Sequence, residues 1–220
     1  MKTAYCLTGL GADERIFQNL DIPGITFMHI RWLQPLAQET LEEYARRIIL
    51  QIPDPKPILV GVSFGGMMAI EIARIIPVEK ITLISSVKSF KEIPRWMKAC
   101  GRYKLDKMLP GRSLKEIRPL KILRPMQDYF LGTEGPEEKK LANEFRDQVN
   151  PVYLKWSLHQ VFNWKNEWQP EGLFHIHGSA DHIFPIKNIR ATHVIKGGGH
   201  FMVMNRHREV SAALAAILHI

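Results

Sequence analysis

Ser63 stands in the run Gly61-Val62-Ser63-Phe64-Gly65-Gly66, directly after the apolar stretch Pro57-Ile58-Leu59-Val60 and before the helical pattern Met67-Met68-Ala69-Ile70-Glu71-Ile72-Ala73. A serine between two glycines at a strand-to-helix junction is the G-x-S-x-G arrangement that presents a hydroxyl as a nucleophile. The glycines have a steric reason, because in so tight a turn a Cβ at Gly61 or Gly65 would collide with the neighbouring strand or helix. A helix opening at Phe64 directs its first N–H groups and its dipole at the same spot. Taken alone, the run also fits an ordinary turn between a strand and a helix. A nucleophilic hydroxyl further needs a base to take its proton and an acid to orient that base.

Candidates for both follow the last two apolar strand patterns. Leu173 to His177 leads into Gly178-Ser179-Ala180-Asp181-His182-Ile183-Phe184-Pro185, and Thr192 to Ile195 leads into Lys196-Gly197-Gly198-Gly199-His200-Phe201. Of seven aspartates only Asp181 is placed in this way, and of nine histidines only His200 sits in a Gly-rich loop behind a strand. Asp13 follows the first strand, but its tight loop suits a structural role. The chemistry of Ser63, His200 and Asp181 together is proton transfer from a hydroxyl attacking a carbonyl. His175 and His177 share one strand face next to Asp181 and raise the alternative of a zinc site. Three residues, Gly178 to Ala180, separate His177 from Asp181 where the metallohydrolase pattern H-x-H-x-D-H has one, so no metal is expected. His29, His159, His193, His207 and His219 read as surface or strand-packing residues.

The elements that must carry these residues alternate between strand and helix. Strands are expected at Lys2–Thr8, Ile25–Ile30, the run before Ser63, Ile81–Ser85, Leu173–His177 and Thr192–Ile195. Helices are expected at Gln38–Ile52, capped by Thr40, from the Ser63 turn to Ile76, and from Arg206 to Leu218. Near-continuous apolar strands joined by short helical connections imply a mostly parallel, six-stranded, doubly wound α/β sheet. In such a sheet the C-terminal strand ends share one edge, which brings the loops of Ser63, Asp181 and His200 together. From Lys88 to Pro170 the rhythm turns helical, broken at Pro110-Gly111, Pro119, Pro125, Gly132 to Pro136 and Pro151. This predicts a core of residues 1–87 and 171–220 with a helical lid of residues 88–170.

At 220 residues, with 45% hydrophobic and 24% charged residues, the chain suits one well-buried soluble domain. No apolar run reaches the ~18–20 residues of a membrane span. The short run Thr3–Leu7 reads as a first strand rather than a secretion signal. Cys6 and Cys100 form neither a metal spacing nor a disulfide framework, so a reducing cytoplasm is the expectation. The net charge of +8 is concentrated, with +9 between Lys88 and Arg124 and −1 over the rest. A basic block can meet an anionic substrate, a membrane surface or nucleic acid. No stacking motif or finger spacing accompanies it, which favours a solvated surface and no nucleic-acid partner.

The loop Thr8-Gly9-Leu10-Gly11, the Gly61–Gly66 run, the segment His177–Pro185 and the segment Gly197–Met202, in the order Ser63, Asp181, His200, together make the chain resemble the α/β-hydrolase superfamily over nearly its whole length. The resemblance implies that fold without the antiparallel strands that usually open its sheet. It also implies acyl transfer to water, with an oxyanion held by the backbone N–H groups of Leu10 and Phe64 and with no cofactor. Many relatives have His-Gly where this chain has Thr8-Gly9. Expected pocket walls are Leu10, Phe64, Phe201 and Met202, and expected lid residues are Trp96, Met97, Tyr129, Phe130, Trp156, Phe162 and Trp164. A small ester or thioester is the expected substrate, acted on by a monomer or homodimer. C–C bond hydrolysis or hydroxynitrile-lyase chemistry on the same triad, and a non-catalytic ligand-binding protein, are the alternatives.

Overall fold

The computed structural model describes residues 2–105 and 122–219, so the middle of the basic block, with the breaks at Pro110-Gly111 and Pro119, lies outside the described residues. Among the described residues six strands form one sheet: β1 (Lys2–Leu7), β2 (Ile25–His29), β3 (Ile58–Val62), β4 (Lys80–Ile84), β5 (Leu173–Gly178) and β6 (His193–Ile195). Their order is β2-β1-β3-β4-β5-β6, and all five pairings are parallel. The chain steps from β1 outward to β2 and then returns to the other side of β1 as β3. Strand order therefore reverses between β1 and β3, and the C-terminal ends of those two strands carry the Gly9-Leu10 loop and Ser63.

Strand side chains alternate between two apolar layers, as the two-residue period of a strand requires. Tyr5, Leu7, Leu59, Ile81 and Leu83 pack with α1 (Leu41–Ile48) and α2 (Phe64–Ile75). Ala4, Cys6, Val60, Val62, Ile84 and Ile176 instead face Ile16 and Phe17 of a 3-10 turn and the closing helices. These closing helices are α7 (Met202–Asn205) and α8 (His207–Leu218).

Helix α1 begins at Leu41 rather than Gln38. Thr40 accepts the Glu43 N–H, and Glu43 reaches back to the Thr40 N–H, a reciprocal capping box worth about 1 kcal/mol that fixes the start. Its last turn tightens into the 3-10 stretch Ile49–Gln51.

Between β4 and β5 the described residues form α3 (Arg95–Arg102), α4 (Arg124–Leu131), α5 (Pro136–Gln148) and α6 (Pro151–Asn163). They are rooted in both layers. Tyr153, Val161 and Trp164 bury in the α1/α2 layer, while Ala142 and Phe145 bury in the other. Trp164 donates its indole N–H to buried Glu71 of α2 at 2.7 Å, and Trp156 donates to the Glu39 carbonyl at 2.7 Å. No helix among the described residues is long and apolar enough to cross a membrane.

Candidate active site

Ser63 sits at φ 53° and ψ −118°, a left-handed conformation that L-residues adopt at a cost of roughly 1–3 kcal/mol and only when their surroundings impose it. The surroundings do so here. Its N–H donates to the Ile84 carbonyl at 2.9 Å, and its carbonyl accepts from Gly66 N–H at 2.9 Å and from the Ser86 hydroxyl at 2.6 Å. A Cβ on Gly61 would collide with the Gly65 carbonyl, and one on Gly65 with the Leu7 carbonyl. Two bare Cα positions thus allow β1, β3 and α2 to approach closely enough to force the turn.

The loops after β5 and β6 are stitched to each other. A Cβ on Gly178 would strike the Gly198 carbonyl, and that carbonyl accepts Ala180 N–H at 2.9 Å. Gly197 N–H donates to the Ser179 hydroxyl at 2.8 Å. The end of α4 supports the second loop: Phe201 N–H donates to Leu131 at 2.8 Å, and Gly132, at φ 70°, lies against Gly199. Tyr129 stacks on His182 with ring centroids 4.3 Å apart. The segment between β4 and β5 therefore braces the very loops that carry Asp181 and His200.

These elements bring together the three residues singled out in the sequence. His200 Nε2 lies 2.9 Å from Ser63 Oγ, and His200 Nδ1 lies 2.9 Å from Asp181 Oδ2. Asp181 Oδ1 accepts the N–H groups of Ile183 and Phe184, both at 2.8 Å. Burial pushes the Asp181 carboxyl up, but the neighbouring His200, the hydrogen bond to it, His177 and the Phe184 N–H outweigh burial and leave it below the usual range. It is a carboxylate at neutral pH. Since a carboxylate only accepts, His200 carries its proton on Nδ1 and offers Nε2 to the serine hydroxyl.

Behind this line lies a buried histidine pair. His177 Nε2 is 2.8 Å from the Phe184 carbonyl and 3.6 Å from Asp181 Oδ2, and its Nδ1 is 3.2 Å from His175 Nε2. A carbonyl accepts only, so Nε2–H of His177 donates to it and His175 Nε2–H donates in turn to His177 Nδ1. Burial pushes both imidazoles below their ordinary range, keeping them neutral. Their shared strand face is visible in the sequence; their use as a brace for the Asp181 turn is not, because nothing in the spacing places Phe184 above them.

Gly9 runs beside Ser63, so that a Cβ there would be 3.4 Å from the serine Cβ. Phe64 N–H is the first of α2 and belongs to the donors that helix geometry leaves without an intrahelical acceptor. Both candidate oxyanion donors are therefore on segments adjoining the hydroxyl. Above them opens a cavity of about 1140 Å³ lined by Leu10, Ser63, Phe64, His200 and Phe201 from the sheet side and by Trp96, Met97, Phe130, Leu154 and Phe162 from the inserted helices. Among the described residues that line it, the cations are paired, Arg124 with Asp147 at 2.6 Å and Arg146 with Asp128 at 2.7 Å, and that lining is largely apolar.

Three of the four expected pocket walls line this cavity. Met202 does not: it is fully buried, with its sulfur against Gly198, because the residues after Phe201 turn into α7 and point inward. Of the expected lid residues, Trp96, Met97, Phe130 and Phe162 line the cavity. Trp156 and Trp164 are anchors for the inserted helices, and Tyr129 covers His182.

The arrangement can move a proton from a serine hydroxyl to an imidazole held by a carboxylate, next to the first turn of α2 and the Gly9-Leu10 loop and beneath an apolar chamber. The model of the Alpha/beta hydrolase family matches residues 3–213. This chain belongs to that family. Among curated proteins none matches. Similar solved structures include an esterase from Exiguobacterium antarcticum, 16% identical with a TM-score of 0.75, covering 100% of this chain and 92% of that one. MenH from S. aureus is 16% identical with a TM-score of 0.71, covering 99% and 93%. A bromoperoxidase from Bacillus anthracis is 17% identical with a TM-score of 0.69, covering 100% and 92%. At these identities the likeness is one of fold.

Proposed function

We propose that the protein is a serine hydrolase that cleaves small carboxylic esters or thioesters through an acyl-enzyme on Ser63. The observation that carries this reading is the unbroken line Ser63 Oγ, His200, Asp181, with both contacts at 2.9 Å, opening into the apolar cavity. His200 Nε2 takes the hydroxyl proton as Oγ bonds to the substrate carbonyl carbon. The oxyanion is held by the N–H groups of Phe64 and Leu10, each worth roughly 3–4 kcal/mol in the transition state when preorganised. The tetrahedral species collapses, the alcohol or thiol leaves with the proton from His200, and water repeats the sequence to release the acid and restore Ser63. Asp181 holds the imidazole in the tautomer this requires.

The inserted helices act as a lid over the acyl site, with Trp96, Met97, Phe130 and Phe162 facing the acyl group. The likeness in fold to esterases is consistent with the reading. The test is a panel of p-nitrophenyl esters and acyl-CoA thioesters of increasing acyl length, assayed with the wild type and Ser63→Ala. Turnover that Ser63→Ala abolishes is expected. No turnover across the panel, with activity instead toward cyanohydrins or 1,3-diketones, would replace hydrolysis of esters by lyase or C–C bond chemistry.

A further inference from the structure

The loop expected to supply the Leu10 donor has almost nothing to hold it by its own side chains. Gly9 and Gly11 have none, and Gly11 takes a φ of 77°. Preorganisation of a donor demands that its peptide stay fixed while charge develops nearby. The fixing comes from two residues outside the triad. The buried Thr8 hydroxyl donates to the Ala12 carbonyl at 2.8 Å, closing the base of the loop, and accepts the Trp32 indole N–H at 2.7 Å. Inside that ring of contacts Ala12 N–H donates to the Gly9 carbonyl at 3.1 Å. Because an indole N–H can only donate, it leaves the Thr8 hydroxyl proton directed at Ala12.

Trp32 does a second thing. Its ring lies against Phe64, with centroids 5.3 Å apart, and Phe64 carries the other candidate donor. It is itself backed by Tyr44 at 6.2 Å and Tyr153 at 5.7 Å.

We infer that Thr8 and Trp32 are positioning residues for the oxyanion site, Trp32 clamping the loop of Leu10 to the helix start at Phe64 through one hydrogen bond and one ring contact. This rests on the hydrolase reading above. In this chain a hydroxyl and an indole together fix the loop.

The effect belongs in the transition state rather than in substrate binding. Thr8→Val keeps the side-chain shape and removes both hydrogen bonds; Trp32→Phe keeps a ring on Phe64 and removes the N–H. Each is expected to lower kcat on p-nitrophenyl butyrate about tenfold with KM nearly unchanged, a displaced donor costing less than a deleted one. The double variant should be little worse than the worse single, since both break the same bond. Thr8→Ser should retain most of the rate. Affinity for butylboronic acid, which forms a tetrahedral adduct on a serine hydroxyl, should fall by the same factor as kcat/KM. A merely structural role would lower the melting temperature and leave kcat and boronate affinity unchanged in the folded variants, and that result overturns the inference. If Thr8→Val is recovered unfolded, Trp32→Phe reads the same outcome alone. A wild type inert toward esters that still binds boronate fails the hydrolase reading and leaves boronate affinity to decide this one. A wild type that does neither overturns both.

Discussion

The two oxygens of Asp181 divide their work around His200. Oδ2 meets His200 Nδ1 at 2.9 Å, while Oδ1 is held by two backbone N–H groups at 2.8 Å. The carboxylate therefore cannot rotate without giving up the bonds that shape its own turn. Its orientation is set by the Ile183-Phe184 backbone, and the Phe184 carbonyl is held in turn by His177. Fixing the acid in this way fixes the tautomer of the base.

Asp181→Asn tests that division. The amide oxygen keeps the place facing the Ile183 and Phe184 N–H groups, so the NH₂ is turned toward His200 Nδ1. A donor there forces the imidazole proton onto Nε2, which can then no longer accept from Ser63. The variant should fold with a melting temperature near that of the wild type and lose roughly 10³–10⁴-fold in kcat. A loss under tenfold would show that the carboxylate does not set the tautomer.

Gly65→Ala should prevent the site from forming. The new methyl would sit against the carbonyls of Leu7 and Thr8, which belong to β1 and its loop and cannot yield without parting β1 from α2. A destabilisation of about 3 kcal/mol or more, read by urea unfolding, is expected from overpacking of this severity. Gly24→Ala is the comparison: nothing lies within 4 Å of a Cβ there, and only the strain of its φ of 81° would be felt. Equal effects at the two positions would contradict the close approach.

The buried pair His175 and His177 gives the fold a pH dependence. Both have folded-state pKa values lowered, chiefly by burial, from an unfolded value near 6.5. Below about pH 6.5 the unfolded chain therefore binds protons that the native one refuses, and stability falls as pH falls. Each histidine contributes a slope of up to about 1.4 kcal/mol per pH unit. Unfolding free energies measured between pH 7 and pH 5 should decline, and His175→Asn should reduce the slope by up to that amount. An unchanged slope would mean that His175 is protonated in the native state or is not buried.

Much of this site was legible in the chain because its strands announce themselves. Each apolar run before Ser63, Asp181 and His200 forms a strand, and parallel pairing delivers all three ends to one edge. The residues that brace the site were not legible. Trp32 follows β2 with no periodicity to mark it, and its partner Thr8 is 24 positions away. Gly132 reads as a break between helices, yet its lack of a side chain is what lets α4 meet Gly199. Met202 is close to His200 in sequence, but the turn into α7 carries it into the core. Contacts of long sequence separation leave no local pattern.

The central claim is that Ser63 is a nucleophile activated by His200. It is tested most directly by reaction with a fluorophosphonate probe followed by peptide mass spectrometry of the wild type, Ser63→Ala and His200→Ala. One phosphonyl group per chain on the peptide containing Ser63 in the wild type is predicted, none in Ser63→Ala, and at most trace labelling in His200→Ala over the same time. Failure of the folded wild type to label, or labelling that persists in Ser63→Ala, would contradict the account.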